Sequence, residues 1–268
     1  MIEPSATPKY TWYPALYNSS APFVYSDENT KPLFALLSAR PGERIVDMGC
    51  GTGELTQRLQ ELVGEEGLVM GVDASESMAM AKANGVKKSF CCDIQNLVIP
   101  AEFKHLAGTF DAVFTNATLH WCKQDPHGPI RAAKTLLKPG GRFVGEFCGY
   151  MTGTGIRCAI SQVLKRRGIT VPDPWFLPQP MEYAEILRSE GFQVENVSLN
   201  PRVSPLPGNM VDFLRALYRV AFLKDIGEEE AEGILEEVSA ICEFDQRDGA
   251  GVWSSIYATV RFQALAPM

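Results

Sequence analysis

The sequence predicts an α/β protein built on one open sheet of seven strands, and three observations carry that prediction. From about residue 44 onward, short apolar β-rich runs alternate with helical patterns, the signature of βαβ units and a parallel sheet. The first run ends in a glycine-rich joint, Gly49-Cys50-Gly51-Thr52-Gly53, where a strand feeds a helix. Near the end of the chain Ile256, Ala258, Val260 and Phe262 alternate with Ser255, Tyr257, Thr259 and Arg261, a half-buried strand that follows a helical insertion.

The elements follow in order. Arg44 to Met48 reads as a short buried strand, and Glu54 to Leu62 as a helix with Leu55, Leu59 and Leu62 on one face. Leu68 to Val72 is the second strand. Ser75 opens a helix to about Asn84, stopped by Gly85. Val86 to Cys91 and Phe110 to Thr115 are strands three and four. Asp125-Pro126 reads as an N-cap and first helical residue for a helix carrying Ile130, Ala133 and Leu137, which stops at Lys138-Pro139-Gly140-Gly141. Arg142 to Phe147 is strand five. Ile156 to Arg167 is helical, and the prolines of 171–180 then favour extended backbone. Met181 to Glu190 is a helix with Gly191 as its stop, and Phe192 to Leu199 is strand six. Leu214, Leu217, Tyr218 and Ala221 mark one inserted amphipathic helix; Ala231, Ile234, Leu235 and Val238 mark another.

At 268 residues, 46% hydrophobic and 21% charged, the chain suits one large or two small domains and buries a core without staples. No apolar run reaches the ~18 residues of a membrane helix. The N-terminus lacks the basic and apolar regions of a signal peptide, so a cytoplasmic location is expected. Net charge is −7, and the densest basic run, Lys165-Arg166-Arg167, reads as a solvated helix end; nucleic acid is disfavoured as a partner. Seven cysteines, an odd count without a CxxC, argue against a disulfide framework or structural zinc. His120-Trp121-Cys122 and His127 lack the carboxylate or His cluster that would complete a metal site, so none is expected.

The chemistry is concentrated in Val46-Asp47-Met48-Gly49-Cys50-Gly51-Thr52-Gly53. In a doubly wound sheet this joint is where nucleotides bind. A dinucleotide fingerprint needs its third glycine at position 54, which is Glu54; the glycines instead read GxGxG, with Asp47 two residues upstream. An acid there suits an amino acid ammonium rather than a phosphate. Asp73 ends the second strand, 20 residues after Gly53, where a carboxylate accepts ribose hydroxyls. Asp93 follows the third strand and suits the amino group of adenine. Together these positions read as a site for S-adenosylmethionine (SAM); the bland alternative for the glycines is a tight turn. A nicotinamide cofactor is disfavoured by Glu54.

The runs VDMGCGTG, GVDAS, CCDIQ, FDAVFTNATLHW and LLKPGGRF resemble, in order, the motifs of class I SAM-dependent methyltransferases over residues 44 to about 148. Trp12 to Tyr17 with Asn116 to Trp121 looks closest to the trans-aconitate methyltransferase-like branch, which includes small-molecule methyltransferases of secondary metabolism. Where the trans-aconitate enzymes usually carry Gln before the Trp, this chain has His120. The resemblance implies a Rossmann-like sheet in the order 3-2-1-4-5-7-6 with strand 7 antiparallel. It also implies SAM contacts at Asp47, Gly49, Gly51, Asp73, Ala74, Met78, Asp93, Ile94 and Asn116, with Gly53 completing the loop. Met78 fits core packing equally well.

Methyl transfer needs a general base only where the acceptor must lose a proton. His120, just past strand four, is a candidate for that role or for positioning. Glu146, near the end of strand five, is another; its alternative is a salt-bridged strand end. Residues 1–30, with Tyr10, Trp12, Tyr13, Tyr17, Phe23 and Tyr25, read as an aromatic lid, in which Trp12, Tyr17 and Tyr25 surround the sulfonium through cation–π attraction; the alternative is surface packing. Residues 31–268 form the methyltransferase domain, with insertions at about 150–180, which include Trp175 and Phe176, and at about 200–250 lining the acceptor pocket. The expected protein is a small-molecule methyltransferase, monomeric or homodimeric. A SAM enzyme of another reaction type and a non-catalytic SAM-binding regulator are the alternatives.

Overall fold

The computed structural model describes residues 14–75 and 84–268 of the chain. In chain order its elements are α1 (Pro14–Ser20), α2 (Asp27–Leu37), β1 (Arg44–Met48), α3 (Glu54–Val63), β2 (Leu68–Asp73), β3 (Lys88–Cys91), β4 (Phe110–Asn116), α4 (Gly128–Leu136), β5 (Leu137–Cys148), α5 (Thr154–Arg166), α6 (Pro180–Ser189), β6 (Gln193–Pro205), α7 (Met210–Phe222), α8 (Glu228–Gln246) and β7 (Ser254–Leu265). The sheet order is β3-β2-β1-β4-β5-β7-β6, as the family resemblance implies. β1 pairs in parallel with β2 and β4, β2 with β3 and β4 with β5, while β7 runs antiparallel to β5.

The chain divides into two compact units. The sheet unit comprises Phe23–Thr152, Trp175–Arg202 and Tyr257–Met268. Its central strands are buried almost throughout because helices cover both faces of a parallel sheet. On one face Leu33, Phe34 and Leu37 of α2 pack with Leu55, Leu59 and Val63 of α3 against Ile45, Ala112, Phe114 and Val144. On the other, Ile130, Ala133 and Leu136 of α4 and Tyr183 and Leu187 of α6 pack against Val46, Met48, Val113, Phe143 and Phe262.

Among the described residues the helical unit comprises 14–22, Gly153–Pro174 and Val203–Ile256. Within it α5 and α7 pack on α8, and α1 packs on α7. The buried positions keep helical spacing: Ile156, Ile160 and Val163; Leu214, Tyr218 and Phe222; Ala231, Ile234, Leu235 and Val238. The guanidinium of the buried Arg219 donates to the carbonyls of Leu223 and Ile226, satisfying the exit of α7. The region read as one N-terminal lid therefore falls in both units, Tyr17 in the helical one and Tyr25 in the sheet.

Several boundaries depart from the sequence reading: β3 begins at Lys88 rather than Val86, β6 runs on to Pro205 rather than ending at Leu199, and the junction of α4 and β5 differs as well. α4 begins at Gly128, because the Asp125 carboxylate accepts the Gly128 N–H at 3.1 Å and holds 125–127 as a turn ahead of the helix. β5 begins at Leu137, since Leu137 pairs with Phe110 across an irregularity in the β4 ladder, leaving no loop between α4 and β5.

Candidate active site

β1 delivers the chain into a turn that only glycine tolerates at its first position. Gly49 has φ 78°, and a Cβ there would lie 1.9 Å from Thr118 Oγ1. The Gly49 and Cys50 N–H groups donate to the Val72 carbonyl at 2.7 and 3.2 Å, and Gly51 N–H donates to Asp73 Oδ2 at 3.0 Å. The loop is thus fastened to the end of β2. Gly53, also at positive φ, caps α3.

Around this loop the three acids stand at or just past the C-terminal ends of adjacent parallel strands, Asp47 in β1, Asp73 closing β2 and Asp93 two residues after β3. Asp47 is buried, and Thr56 Oγ1 donates to its Oδ2 at 2.6 Å. Burial raises its carboxyl to about 7; the Thr56 bond opposes this and the charges of Asp73 and Glu54 reinforce it. Asp73 is also raised by burial, against the bonds from Ser75 and Gly51 N–H. Ser75 N–H reaches its Oδ1 at 2.9 Å. Asp93 is exposed and caps the short turn Ile94–Asn96 by accepting Gln95 N–H at 2.9 Å. Ala74 is exposed beside Asp73, whereas the Ile94 side chain is buried in the core. Glu54 accepts the Thr52 hydroxyl at 2.6 Å, so an anion occupies the position where a pyrophosphate would approach.

This donor set fits SAM. A buried carboxyl held near neutrality gains most from an incoming ammonium, which stabilises its charged form. Each Asp73 oxygen carries one N–H and keeps a lone pair for a ribose hydroxyl. Asp93 presents an exposed acceptor to an amino group.

A family model described as "Methyltransferase domain" matches residues 46–145, from β1 through most of β5. An uncharacterized methyltransferase of Schizosaccharomyces pombe is 30% identical over 198 residues, covering 71% of this chain and 74% of that one. The chain belongs to the methyltransferase family. It is a class I SAM-dependent methyltransferase, with SAM as its cofactor. A trans-aconitate 2-methyltransferase of Deinococcus radiodurans is 33% identical over 135 residues, covering 49% of this chain and only 47% of the relative. Among solved structures, a Haemonchus contortus phosphoethanolamine N-methyltransferase 2 superposes with TM-score 0.55 at 18% identity, over 95% of this chain and 57% of that one. The [4+2]-cyclase SpnF also gives TM-score 0.55 at 18% identity, over 90% and 81%. At such identity the structural likeness shows the fold alone.

The remaining candidates of the methyltransferase are placed as follows. His120 lies in the short turn Leu119–Trp121 after β4, buried among the rings of Trp121 at 5.2 Å and Trp175 at 6.2 Å. Its Nδ1 has no hydrogen-bond partner among the described residues. Burial lowers its pKa to about 3, so the ring is neutral and a proton taken there would leave a buried, unpaired cation. That favours positioning over base catalysis. Glu146 corresponds to the salt-bridged strand end: Arg261 Nε and Thr259 Oγ1 each donate to it at 2.6 Å, and Arg202 pairs with it as well. With both oxygens engaged it is not a poised base. Asn116 Nδ2 donates to the Val24 carbonyl at 3.1 Å. Tyr25 packs on the α2–α3 core. Tyr17 is buried in the helical unit, on α1. Trp175 and Phe176 belong to the sheet unit, where Phe176 N–H donates to the His120 carbonyl at 2.8 Å. Met78, Tyr10, Trp12 and Tyr13 lie outside the described residues.

Thr56, Thr118, Arg202 and Arg261 were not legible as site residues. Thr56 sits nine positions after Asp47, in the first turn of α3 and outside the glycine motif. Among the described residues no group of three or more His, Cys, Asp or Glu could hold a metal, and no helix is long and apolar enough to cross a membrane.

Proposed function

We propose that this methyltransferase transfers the SAM methyl group to a nitrogen or oxygen atom of a small molecule. The observation that carries the donor half is the glycine loop tied to Asp73, beside a buried Asp47 that awaits a cation. The acceptor half is supported by the relatives, whose names specify trans-aconitate and, for a Xanthomonas axonopodis enzyme, O-methylation in ubiquinone biosynthesis.

Bound SAM supplies an electrophilic methyl on a sulfonium with a neutral leaving group. The protein's share is therefore positioning and exclusion of water. Asp47 holds the ammonium end of the donor, Asp73 its ribose and Asp93 its adenine end. The ring cluster of His120, Trp121 and Trp175 provides a dry wall beyond β4, and neutral His120 offers a hydrogen bond without carrying charge. Among the described residues neither His120 nor Glu146 is set up as a strong base, which suits an acceptor atom that is already nucleophilic at neutral pH.

The test is incubation of the protein with methyl-labelled SAM and a metabolite extract, read by mass spectrometry. A gain of one methyl group on a small molecule is expected. Labelled SAM that binds but yields no methylated small molecule would sink the proposal and favour another reaction type on this fold.

A further inference from the structure

A row of cross-strand neighbours crosses the sheet unit at the C-terminal ends of β4 and β5. Asn116 of β4 lies opposite Glu146 of β5, and Glu146 lies opposite Arg261 of β7. Side chains in direct register share one face of a sheet, and Thr259, two residues before Arg261, shares it too. Arg202, near the end of β6, reaches over the same row: it pairs with Glu146, donates to Thr259 Oγ1 at 3.1 Å and to the Asn29 carbonyl at 3.4 Å.

The charge in this row does not balance. Two guanidiniums share one carboxylate, and among the described residues neither has a second acidic partner. Arg261 commits only its Nε, so its two terminal nitrogens keep their donors. The side chains of Arg202 and Arg261 are 22% and 17% exposed, while that of Glu146 is 4% exposed. A purely structural tie would need one arginine. A second, half-buried one adds an uncompensated positive charge that costs stability unless an anion meets it. Burial holds both guanidiniums below their usual range, and repulsion from Arg261 adds to the effect on Arg202. Guanidinium is the side chain suited to grip carboxylate or phosphate in a bidentate fork. In open α/β sheets ligands bind beyond the carboxyl ends of the strands, and Asn116 closes β4 while Glu146 lies two residues before the end of β5, at the rim of that crevice.

We propose that Arg261 and Arg202, held in place by Glu146, form an oxyanion subsite, so that the methyl acceptor carries a carboxylate or a phosphate. The inference rests on the small-molecule methyltransferase reading and names its substrate class. Glu146 is then a positioning residue that aims the two arginines.

Calorimetry on the protein saturated with S-adenosylhomocysteine tests this, with succinate, inorganic phosphate and neutral dimethyl succinate as probes. Succinate or phosphate should bind, the two arms telling carboxylate from phosphate recognition, and dimethyl succinate should not. Arg261→Gln should weaken anion binding by about tenfold or more, the scale of one charged hydrogen bond, with S-adenosylhomocysteine affinity changed less than about twofold. Should Arg261→Gln melt early, Arg261→Lys keeps the charge and should retain part of the anion binding, while Arg202→Gln should lose it. Anion binding that is equal in the wild type and in folded Arg261→Gln and Arg202→Gln overturns the subsite. So does a wild-type protein that binds S-adenosylhomocysteine but neither anion. A protein that binds no S-adenosylhomocysteine fails earlier, at the donor site, and removes both readings.

Discussion

Each carboxylate oxygen of Asp73 already holds one backbone N–H, so this residue shapes the glycine loop, and the proposed donor site gives its remaining lone pairs to a ribose. Asp73→Ala should weaken SAM binding by about 1.5–3 kcal/mol, the worth of hydrogen bonds to a charged group; unchanged affinity in calorimetry would remove Asp73 from the site. His120 gives a prediction of the opposite kind. With its pKa lowered to about 3 by burial, it stays neutral across the working range. The pH–rate profile should therefore lack a limb near 6.5 that disappears in His120→Gln, and finding such a limb would restore the general base. That the three acids proposed for the donor site stand at neighbouring strand ends was legible in the sequence, because βαβ units bring consecutive strand ends together and spacing aligns Asp47, Asp73 and Asp93. Arg202 was not legible, since only the sheet order beyond β5 brings it to Glu146, 56 residues earlier in the chain.

At the scale of elements, strands with apolar runs declared themselves, and β1 matches its sequence reading residue for residue. α2 escaped it, because Pro32 interrupts the pattern of Leu33, Phe34 and Leu37 and breaks the usual helical signature. Its N-cap is sound: Ser26 Oγ accepts Asn29 N–H at 3.4 Å, and Ser26→Ala should cost about 1 kcal/mol in urea unfolding. The joint between β1 and α3 is less forgiving. Gly49→Ala must adopt a left-handed backbone, costing about 1–2 kcal/mol, and must also displace Thr118, whose Cβ would be 2.6 Å away. Melting temperature and SAM affinity should both fall. Adding Thr118→Gly should recover the steric part and leave the backbone part; full recovery would show that positive φ at residue 49 is unimportant.

For the whole molecule, two buried groups of the sheet unit pull the pH dependence of stability in opposite directions. Asp47 rises from 3.8 to about 7, so between about pH 4 and 7 the folded state holds a proton that the unfolded chain releases. Stability from this group falls as pH rises through that window. His120 drops from 6.5 to about 3, so between those values the unfolded chain binds a proton that the folded state refuses. Stability from this group rises with pH. Each effect is on the order of 4 kcal/mol at full extent, and over pH 4 to 6.5 they offset one another. Asp73, raised as well, adds in the sense of Asp47. The variants should separate the pair. In Asp47→Asn, stability should drop towards pH 4, because only the histidine effect remains of the two. In His120→Gln, it should climb towards pH 4. Urea midpoints across pH 4 to 7 read this directly, and equal slopes in the two variants would refute the opposition. The same physics reaches the ligand. An ammonium beside Asp47 favours its ionised form, so SAM binding near pH 7 should expel a proton, seen as a dependence of the binding heat on the ionisation enthalpy of the buffer. Asp47→Asn should bind SAM more weakly and without that dependence. A buffer-dependent heat that persists in Asp47→Asn would place the released proton elsewhere and detach the ammonium from this carboxylate.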